Sequence, residues 1–309
     1  MKILITPRSF GKSDPTVFKR LEDEGYELVL NTTGNILTKD DMKKLLADCD
    51  GLILGVDPVD ADVIAAAPRL RAISKYGVGV DNIDLAACES RGIRVSRAQG
   101  SNTQAVADYA FALMMATARK VVPIDAACRQ GNWSKIVTAD IYGKTLGIIG
   151  MGAIGRAVAE RARGFSMKLL GYDVFWNDEA AEKAGVRRAE LSEIYSQCDF
   201  ISLHVPLTEQ TRNMISVKQL AMMKNTAILI NTARGGLIDE DALLEALKNG
   251  SIYGAGIDAF AQEPPENEQW FTLDNVVMGA HCAASTTGAV AEMGNMAADN
   301  LIAALRPQD

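Results

Sequence analysis

The sequence lacks the features that mark membrane proteins and nucleic-acid-binding proteins. No apolar run comes near the roughly 20 residues that a membrane span needs, and the apolar run at the N-terminus is too short for a signal-peptide core. The formal net charge of −7 argues against a surface for nucleic acid or anionic lipid. We therefore expect a small-molecule partner, with no nucleic acid and no membrane.

Cysteine and histidine are scarce and scattered. The five cysteines form no CxxC pair, and the only histidines that could join them are His204 and His281. This arrangement disfavours both a zinc site and a disulfide framework, so we assign no metal. Unpaired, reduced thiols favour the cytoplasm.

Short apolar runs alternate with helical patterns twice along the 309 residues, which is enough chain for two domains. The first alternation starts with a strand over Lys2–Thr6, and the second starts at Thr145. Strands that alternate with helices imply parallel sheets covered on both faces. We predict an α/β fold with two doubly wound domains. Between them, Gln104–Lys120 is apolar almost all round, which is typical of a core helix or of a helix between domains or subunits.

A glycine motif opens the second half of the chain. Gly150, Gly152 and Gly155 follow the predicted strand Leu146–Ile149 and precede a predicted helix. This context is that of a dinucleotide-binding turn, in which the helix N-terminus faces the pyrophosphate. Asp173 ends the next strand, where an acid binds the ribose hydroxyls and repels the extra phosphate of NADP. The motif therefore predicts NAD as cofactor.

Three polar residues follow later predicted strands, at the edge where α/β sheets bind ligands. They are Arg234, Glu263 and His281. A 2-keto acid needs a forked cation for its carboxylate, which arginine provides. Its carbonyl oxygen needs a proton donor that titrates near neutrality, and that histidine needs a carboxylate to favour its protonated form. We assign catalytic roles to these three residues.

At this point the chain resembles the D-isomer-specific 2-hydroxyacid dehydrogenases over nearly its full length. The motifs that carry the resemblance occur in the family's order: KYGVGVDNID at 75–84, GSNTQAVAD at 100–108, GIIGMGAIG at 147–155, HVPLTEQT at 204–211, NTARGGLIDEDAL at 231–243, GIDAFAQEPP at 256–265 and HCAAST at 281–286. The resemblance implies a carboxylate clamp at Arg234, an acid/base at His281 and its partner at Glu263.

The resemblance also implies further binding residues. The cofactor contacts it implies are Ala153, Ile154, Asp173, His204, Val205 and Pro206, with Thr232, Ala233 and Asp258 near the nicotinamide. It places the substrate carboxylate on the backbone of Val78 and Gly79. Two positions depart from the family: Ala280 replaces the usual proline before the histidine, and Cys282 follows where an aliphatic residue is common.

The domain arrangement follows from the same resemblance. It implies a flavodoxin-like substrate domain over about 1–98 and 287–309, with a Rossmann NAD-binding domain inserted at 99–286. It also implies a homodimer built around the 104–120 helix.

Several substrates and one other class of protein stay open. Within the family, the N-terminal segment and GLILGVDPVDADVI at 51–64 are most similar to the short phosphoglycerate dehydrogenases, which lack a C-terminal regulatory domain. Lys75, with Arg8, would bind a substrate phosphate, so 3-phosphoglycerate is the first candidate. GLILGVD at 51–57 lacks the cation found there in some of these enzymes, which keeps a hydroxypyruvate or glyoxylate reductase open. The alternative from another class is an NAD(H)-sensing corepressor.

Overall fold

The structure is a computed structural model, which describes residues 1–306. The chain divides into two compact units. Unit 1 comprises Met1–Asn102 together with the segment that begins at Ser285, and unit 2 is the inserted Thr103–Ala284. The predicted domain segment 287–309 ends in Pro307, Gln308 and Asp309, which lie outside the described residues.

The strands and helices alternate in both units. The strands are β1 (Lys2–Ile5), β2 (Glu27–Leu30), β3 (Gly51–Leu54), β4 (Ala72–Lys75), β5 (Arg94–Arg97), β6 (Thr145–Ile149), β7 (Lys168–Tyr172), β8 (Arg187–Arg188), β9 (Phe200–Leu203), β10 (Ile228–Asn231), β11 (Gly254–Ile257) and β12 (Val276–Met278). The helices are α1 (Thr16–Asp23), α2 (Lys39–Leu46), α3 (Ala61–Ala65), α4 (Leu85–Ser90), α5 (Thr103–Ala118), α6 (Val121–Arg129), α7 (Ala153–Arg163), α8 (Asp178–Ala184), α9 (Leu191–Gln197), α10 (Val217–Met222), α11 (Glu240–Lys248) and α12 (Thr287–Leu305).

Unit 1 is a five-stranded parallel sheet with the order β2-β1-β3-β4-β5. This is the order of flavodoxin-like folds. The C-terminal helix α12 covers β3, β4 and β5. It buries Val290, Met293, Ala297, Leu301 and Leu305, a spacing that keeps one face of a helix apolar.

Unit 2 is a seven-stranded parallel sheet with the order β12-β11-β10-β9-β6-β7-β8. The strand order reverses between β6 and β9, and α/β sheets bind ligands beyond the carboxyl ends of the strands at such a point. Helix α5 packs against α7, β10 and β11, and it is buried on most sides. The predicted α/β class with two parallel-sheet domains is confirmed.

None of the helices in the described part of the chain combines the length and the apolar character that a bilayer crossing requires.

Candidate active site

The glycine turn after β6 has the geometry that a dinucleotide needs. Gly150 has a φ of +102°, and a side chain there would collide with the carbonyl of His204. Gly155 lies so close to the Gly150 carbonyl that a Cβ would not fit. A Cβ on Gly152 would meet nothing within 4 Å, so the N-terminus of α7 is open to a ligand. Ala153 is exposed there and Ile154 is half-buried.

Asp173 lies beside this turn, directly after β7. Its Oδ2 accepts the N–H of Met151 at 2.7 Å, and its Oδ1 accepts the N–H of Phe175 at 2.8 Å. Each carboxylate oxygen keeps a further acceptor site, so the group is fixed and still able to bind hydroxyls. Arg156, which the sequence analysis did not single out, donates to the Met151 carbonyl at 2.8 Å.

His204 begins the loop that follows β9. Its N–H donates to the Ile149 carbonyl at 2.7 Å, and its Nε2 lies 2.8 Å from Ser202 Oγ. Burial lowers the pKa of His204 to about 4, so the ring is neutral at physiological pH. This state makes His204 unsuited to donate a proton to a substrate. Val205 lies against the glycine turn, near Gly150.

The same loop continues through Pro206. The carbonyl of Pro206 accepts a hydrogen bond from Thr211 Oγ1 at 2.7 Å. This bond closes the loop on itself, next to the turn that would hold the pyrophosphate.

The turn after β10 carries Arg234. Asn231 holds the turn, because its Oδ1 accepts the N–H of Ala233 at 3.1 Å and its Nδ2 donates to the Arg234 carbonyl at 2.8 Å. The guanidinium of Arg234 is half-buried and donates to the Ala233 carbonyl at 2.7 Å. Thr232 is 8% exposed, and its Oγ1 has no hydrogen-bond partner within the described residues. An orphaned buried hydroxyl is what a bound ligand would satisfy.

Asp258, at the end of β11, holds the loop that carries the histidine. It is 1% exposed. Its carbonyl accepts the N–H of His281 at 2.9 Å, and its two carboxylate oxygens accept those of Cys282 and Ala283 at 3.0 and 2.9 Å. One residue therefore binds three successive amides. The family resemblance implies Asp258 beside the cofactor, and its local sequence gives no sign of this supporting role.

Glu263 and His281 form a pair. The Nδ1 of His281 lies 2.9 and 3.0 Å from the two carboxylate oxygens of Glu263. His281 has a φ of +52°, in the left-handed region. Burial raises the pKa of Glu263, but the His281 hydrogen bond and charge, the Phe260 amide and the Arg234 charge outweigh it, so this pKa lies below its usual value. Glu263 is therefore ionised at neutral pH.

A tyrosine of helix α5 that is not among the predicted site residues also belongs to this site. The thiol of Cys282 donates to the Tyr109 hydroxyl at 3.2 Å. Burial, with the Cys282 hydrogen bond, raises the pKa of Tyr109, so its hydroxyl stays protonated. A polar side chain on the otherwise apolar helix 104–120 is the feature that could have identified it from the sequence.

Unit 1 carries the other residues predicted to bind the substrate. Lys75 is 6% exposed, and its Nζ donates to the Gly55 carbonyl and to Asn82 Oδ1, the latter at 2.8 Å. Its ammonium therefore lies under the loop that starts at Tyr76, and Val78 and Gly79 in that loop are half-exposed.

Two other side chains of unit 1 bear on the predicted phosphate site. Arg8 is exposed, and its guanidinium lies 3.5 Å from the Gly34 carbonyl. Val56, the second residue after β3, is 52% exposed and apolar. It lies in the segment 51–57, which lacks the cation found there in some phosphoglycerate dehydrogenases.

The carboxyl edge of the seven-stranded sheet therefore collects most of the predicted residues. Those in unit 2 are Gly150, Gly152, Ala153, Ile154, Gly155, Asp173, His204, Val205, Pro206, Thr232, Ala233, Arg234, Asp258, Glu263 and His281. The distances bring Glu263 and His281 directly together, and they bring Asp173 to the glycine turn. Within residues 1–306, no His, Cys, Asp and Glu side chains cluster in a way that would hold a metal ion.

Comparison with known proteins identifies the family. The model of the D-isomer specific 2-hydroxyacid dehydrogenase NAD-binding domain matches residues 111–283. The chain belongs to this family. It is an NAD-dependent enzyme of the D-2-hydroxyacid dehydrogenase type, as the resemblance implied.

Similar proteins differ in the substrate that their names give. A glyoxylate reductase of Korarchaeum cryptofilum is 47% identical over 83% of this chain and 80% of its own length. A D-3-phosphoglycerate dehydrogenase of Methanocaldococcus jannaschii is 41% identical over 99% of this chain and 58% of its own length. The crystal structure of an Aquifex aeolicus D-lactate dehydrogenase with NAD and lactic acid has a TM-score of 0.84 and 28% identity, covering 96% of this chain and 93% of that one.

The residues present fit NAD. The open face at Gly152 and the Asp173 carboxylate offer a place for the pyrophosphate and the ribose, and the orphaned Thr232 hydroxyl is a donor that a bound group would satisfy. When bound, NADH supplies the hydride, and the chain's own residues supply the proton and hold the substrate.

Proposed function

We propose that this dehydrogenase reduces a small unphosphorylated 2-keto acid, glyoxylate or hydroxypyruvate, to the corresponding 2-hydroxy acid. The observation that carries the proposal is the contact of His281 Nδ1 with both oxygens of Glu263, at 2.9 and 3.0 Å. Glu263 holds the ring through Nδ1, and Nε2 is the nitrogen left to give a proton to the carbonyl oxygen.

Arg234 would bind the substrate carboxylate and polarise the carbonyl. A guanidinium offers two parallel N–H donors to a carboxylate, and Asn231 fixes the turn from which this one extends. That the amides of Val78 and Gly79 bind the substrate carboxylate stays a prediction. Asp258 would keep His281 in place, since it holds three amides of the histidine loop.

This proposal ranks glyoxylate and hydroxypyruvate above 3-phosphoglycerate, which is the opposite of the order expected from the sequence. The relatives that are 47%, 45% and 42% identical carry the name glyoxylate reductase. In addition, Lys75 is buried and bound to Asn82, and Val56 is apolar. These two side chains therefore give little support for a phosphate-binding site. 3-Phosphoglycerate is the second candidate, favoured by the Methanocaldococcus relative. The names of these relatives give no support to a corepressor.

The test is a turnover assay with NADH and a panel of glyoxylate, hydroxypyruvate, 3-phosphohydroxypyruvate and pyruvate. We expect the highest kcat/KM with glyoxylate or hydroxypyruvate. A higher value with 3-phosphohydroxypyruvate would restore the phosphoglycerate assignment. Absence of turnover with every acid would refute the reductase proposal.

A homodimer built around the 104–120 helix is also part of the proposal. Next to α5, the segment after α6 exposes Trp133 at 81% and Val137 at 96%, and α6 exposes Val121 and Val122 at 52% and 54%. Such an apolar surface is typical of a subunit interface. Light scattering should give twice the chain mass, and Trp133→Ser should shift it toward the monomer. The cytoplasm stays a prediction.

A further inference from the structure

The loops that carry Arg234 and Glu263 are packed directly against each other. Gly235 follows Arg234, and a Cβ on Gly235 would collide with the carbonyl of Phe260 and the amide of Ala261. The backbone of the Glu263 loop therefore occupies the space where a side chain next to Arg234 would lie. This contact allows one loop to set the position of the other.

A second glutamate ties the two loops together. Glu240 is the first residue of α11 and is half-buried, and its Oε1 accepts the N–H of Ala261 at 2.6 Å. The preceding amide, that of Phe260, donates to Glu263 Oε1 at 3.1 Å. Two successive amides of one loop are thus held by two carboxylates, of which only Glu263 contacts His281.

We propose that Glu240 is a positioning residue, which fixes the loop of Glu263 so that this carboxylate faces His281. The inference rests on the proposed role of Glu263 and His281 in proton transfer. In this role, Glu240 contacts neither His281 nor the substrate. It acts through the amide of Ala261, two residues before Glu263 in the chain.

The charges at this place indicate that the hydrogen bond, not the negative charge, is what Glu240 contributes. Burial raises the pKa of Glu240 above its usual value, and the charges of Asp241 and Glu263 add to this, against the opposing effect of the Ala261 hydrogen bond. The charges of Asp241 and Glu263 therefore repel a carboxylate at position 240. A neutral amide of the same shape accepts the same hydrogen bond without that repulsion.

Three variants separate position from charge. Glu240→Gln keeps the acceptor and removes the charge, whereas Glu240→Ala removes both. Asp241→Asn is the matched control, because it removes a charge from the next residue of the same helix end, where Asp241 is exposed. Each purified enzyme is assayed for kcat and KM with glyoxylate, for the Kd of NADH, and for hydrogen exchange of the peptide that contains Phe260 and Ala261.

We expect Glu240→Ala to lower kcat by about tenfold, since small displacements of catalytic groups reduce rates by such factors or more. Its Kd for NADH should stay within about twofold of wild type, and its Ala261 amide should exchange faster. Glu240→Gln should restore both kcat and exchange protection, and Asp241→Asn should match wild type.

The outcomes distinguish this inference from the proposed function. An active wild-type enzyme with an equally active Glu240→Ala variant would overturn the inference and leave the proposed function standing. An inactive wild-type enzyme would refute the proposed function, and the exchange data would then decide the inference: unchanged exchange in Glu240→Ala would overturn it. Loss of kcat in Glu240→Gln equal to that in Glu240→Ala would also overturn it, because charge would then be the contribution.

Discussion

The Nδ1 atom of His281 lies within hydrogen-bond distance of both carboxylate oxygens of Glu263, at 2.9 and 3.0 Å. The side chains of the two residues are 39% and 36% exposed, so the pair is open to a substrate. Because Nδ1 faces the carboxylate, Nε2 is directed to the other side of the ring. The pair thus combines an oriented ring with an ionised partner, as an acid/base needs.

The first prediction concerns this pair. His281→Ala should lower kcat by a factor on the order of 10²–10⁴, the usual contribution of a positioned acid–base group. Glu263→Gln keeps the shape and removes the negative charge that faces Nδ1, so it should lower kcat by a smaller factor than His281→Ala does. The kcat measured with saturating NADH checks both expectations.

Cofactor binding is the control for these variants. The Kd of NADH should be nearly unchanged in both, because neither residue belongs to the glycine turn. Near-normal turnover in His281→Ala would refute the assignment of the acid/base. A kcat of Glu263→Gln equal to that of wild type would refute the role of the pair.

Asp173 carries the second prediction, a preference for NAD over NADP. Its carboxylate is held beside the glycine turn by the amides of Met151 and Phe175, where it would repel a 2′-phosphate. Asp173→Ala should narrow the ratio of kcat/KM between NADH and NADPH. The matched control is Asp178→Ala, an acid five residues on that bonds the Trp176 indole instead. Equal use of both cofactors by the wild-type enzyme would contradict the prediction.

The sequence predicted the glycine turn and the strand ends well because both depend on local spacing. The number of residues between each strand and Gly150, Gly155 or Asp173 can be counted in the sequence. The helix α12 could also have been predicted, since its buried residues recur at helical spacing, but it is not among the predicted elements. Those elements needed no knowledge of which distant segments meet.

Tertiary contacts were beyond such reasoning. Asp258 binds amides more than twenty residues later in the chain, and nothing in its local pattern announces this. Glu240 likewise meets Ala261 only because two loops pack together. Lys75 is predicted to bind a phosphate because it directly precedes the loop expected to hold the substrate carboxylate, whereas Asn82 and the Gly55 carbonyl bind its ammonium.

The third prediction concerns the pH dependence of stability. Burial holds the pKa of His204 at about 4 in the folded state, against about 6.5 for an unfolded histidine. Between these values the unfolded chain binds a proton that the folded chain does not, so acid favours unfolding. The free energy of unfolding should therefore fall by roughly 2 kcal/mol from pH 7.5 to pH 5 on account of His204 alone.

His204→Gln isolates this contribution, since it keeps a polar group near Ser202 without a titrating ring. Denaturant unfolding of both proteins at the two pH values gives the difference. The variant should lose less stability on acidification than wild type. Parallel losses would show that His204 does not carry the effect, and a changed pH profile of reduction in the variant would contradict its exclusion as the acid/base.

Lys75 provides the last prediction, which discriminates between the two substrates. If the Lys75 ammonium binds the substrate phosphate, it must face the substrate. Its removal should then raise the KM for 3-phosphohydroxypyruvate more than the KM for glyoxylate. An ammonium that supports a loop affects both acids alike. The Lys75 ammonium binds Asn82 and the Gly55 carbonyl beneath the loop, so we expect Lys75→Ala to raise both KM values by the same factor. Arg8→Ala is the comparison, because Arg8 is the exposed cation of the predicted phosphate site. A rise in KM for the phosphorylated acid alone in Lys75→Ala would show that the lysine binds the phosphate. This result would favour phosphoglycerate as the substrate.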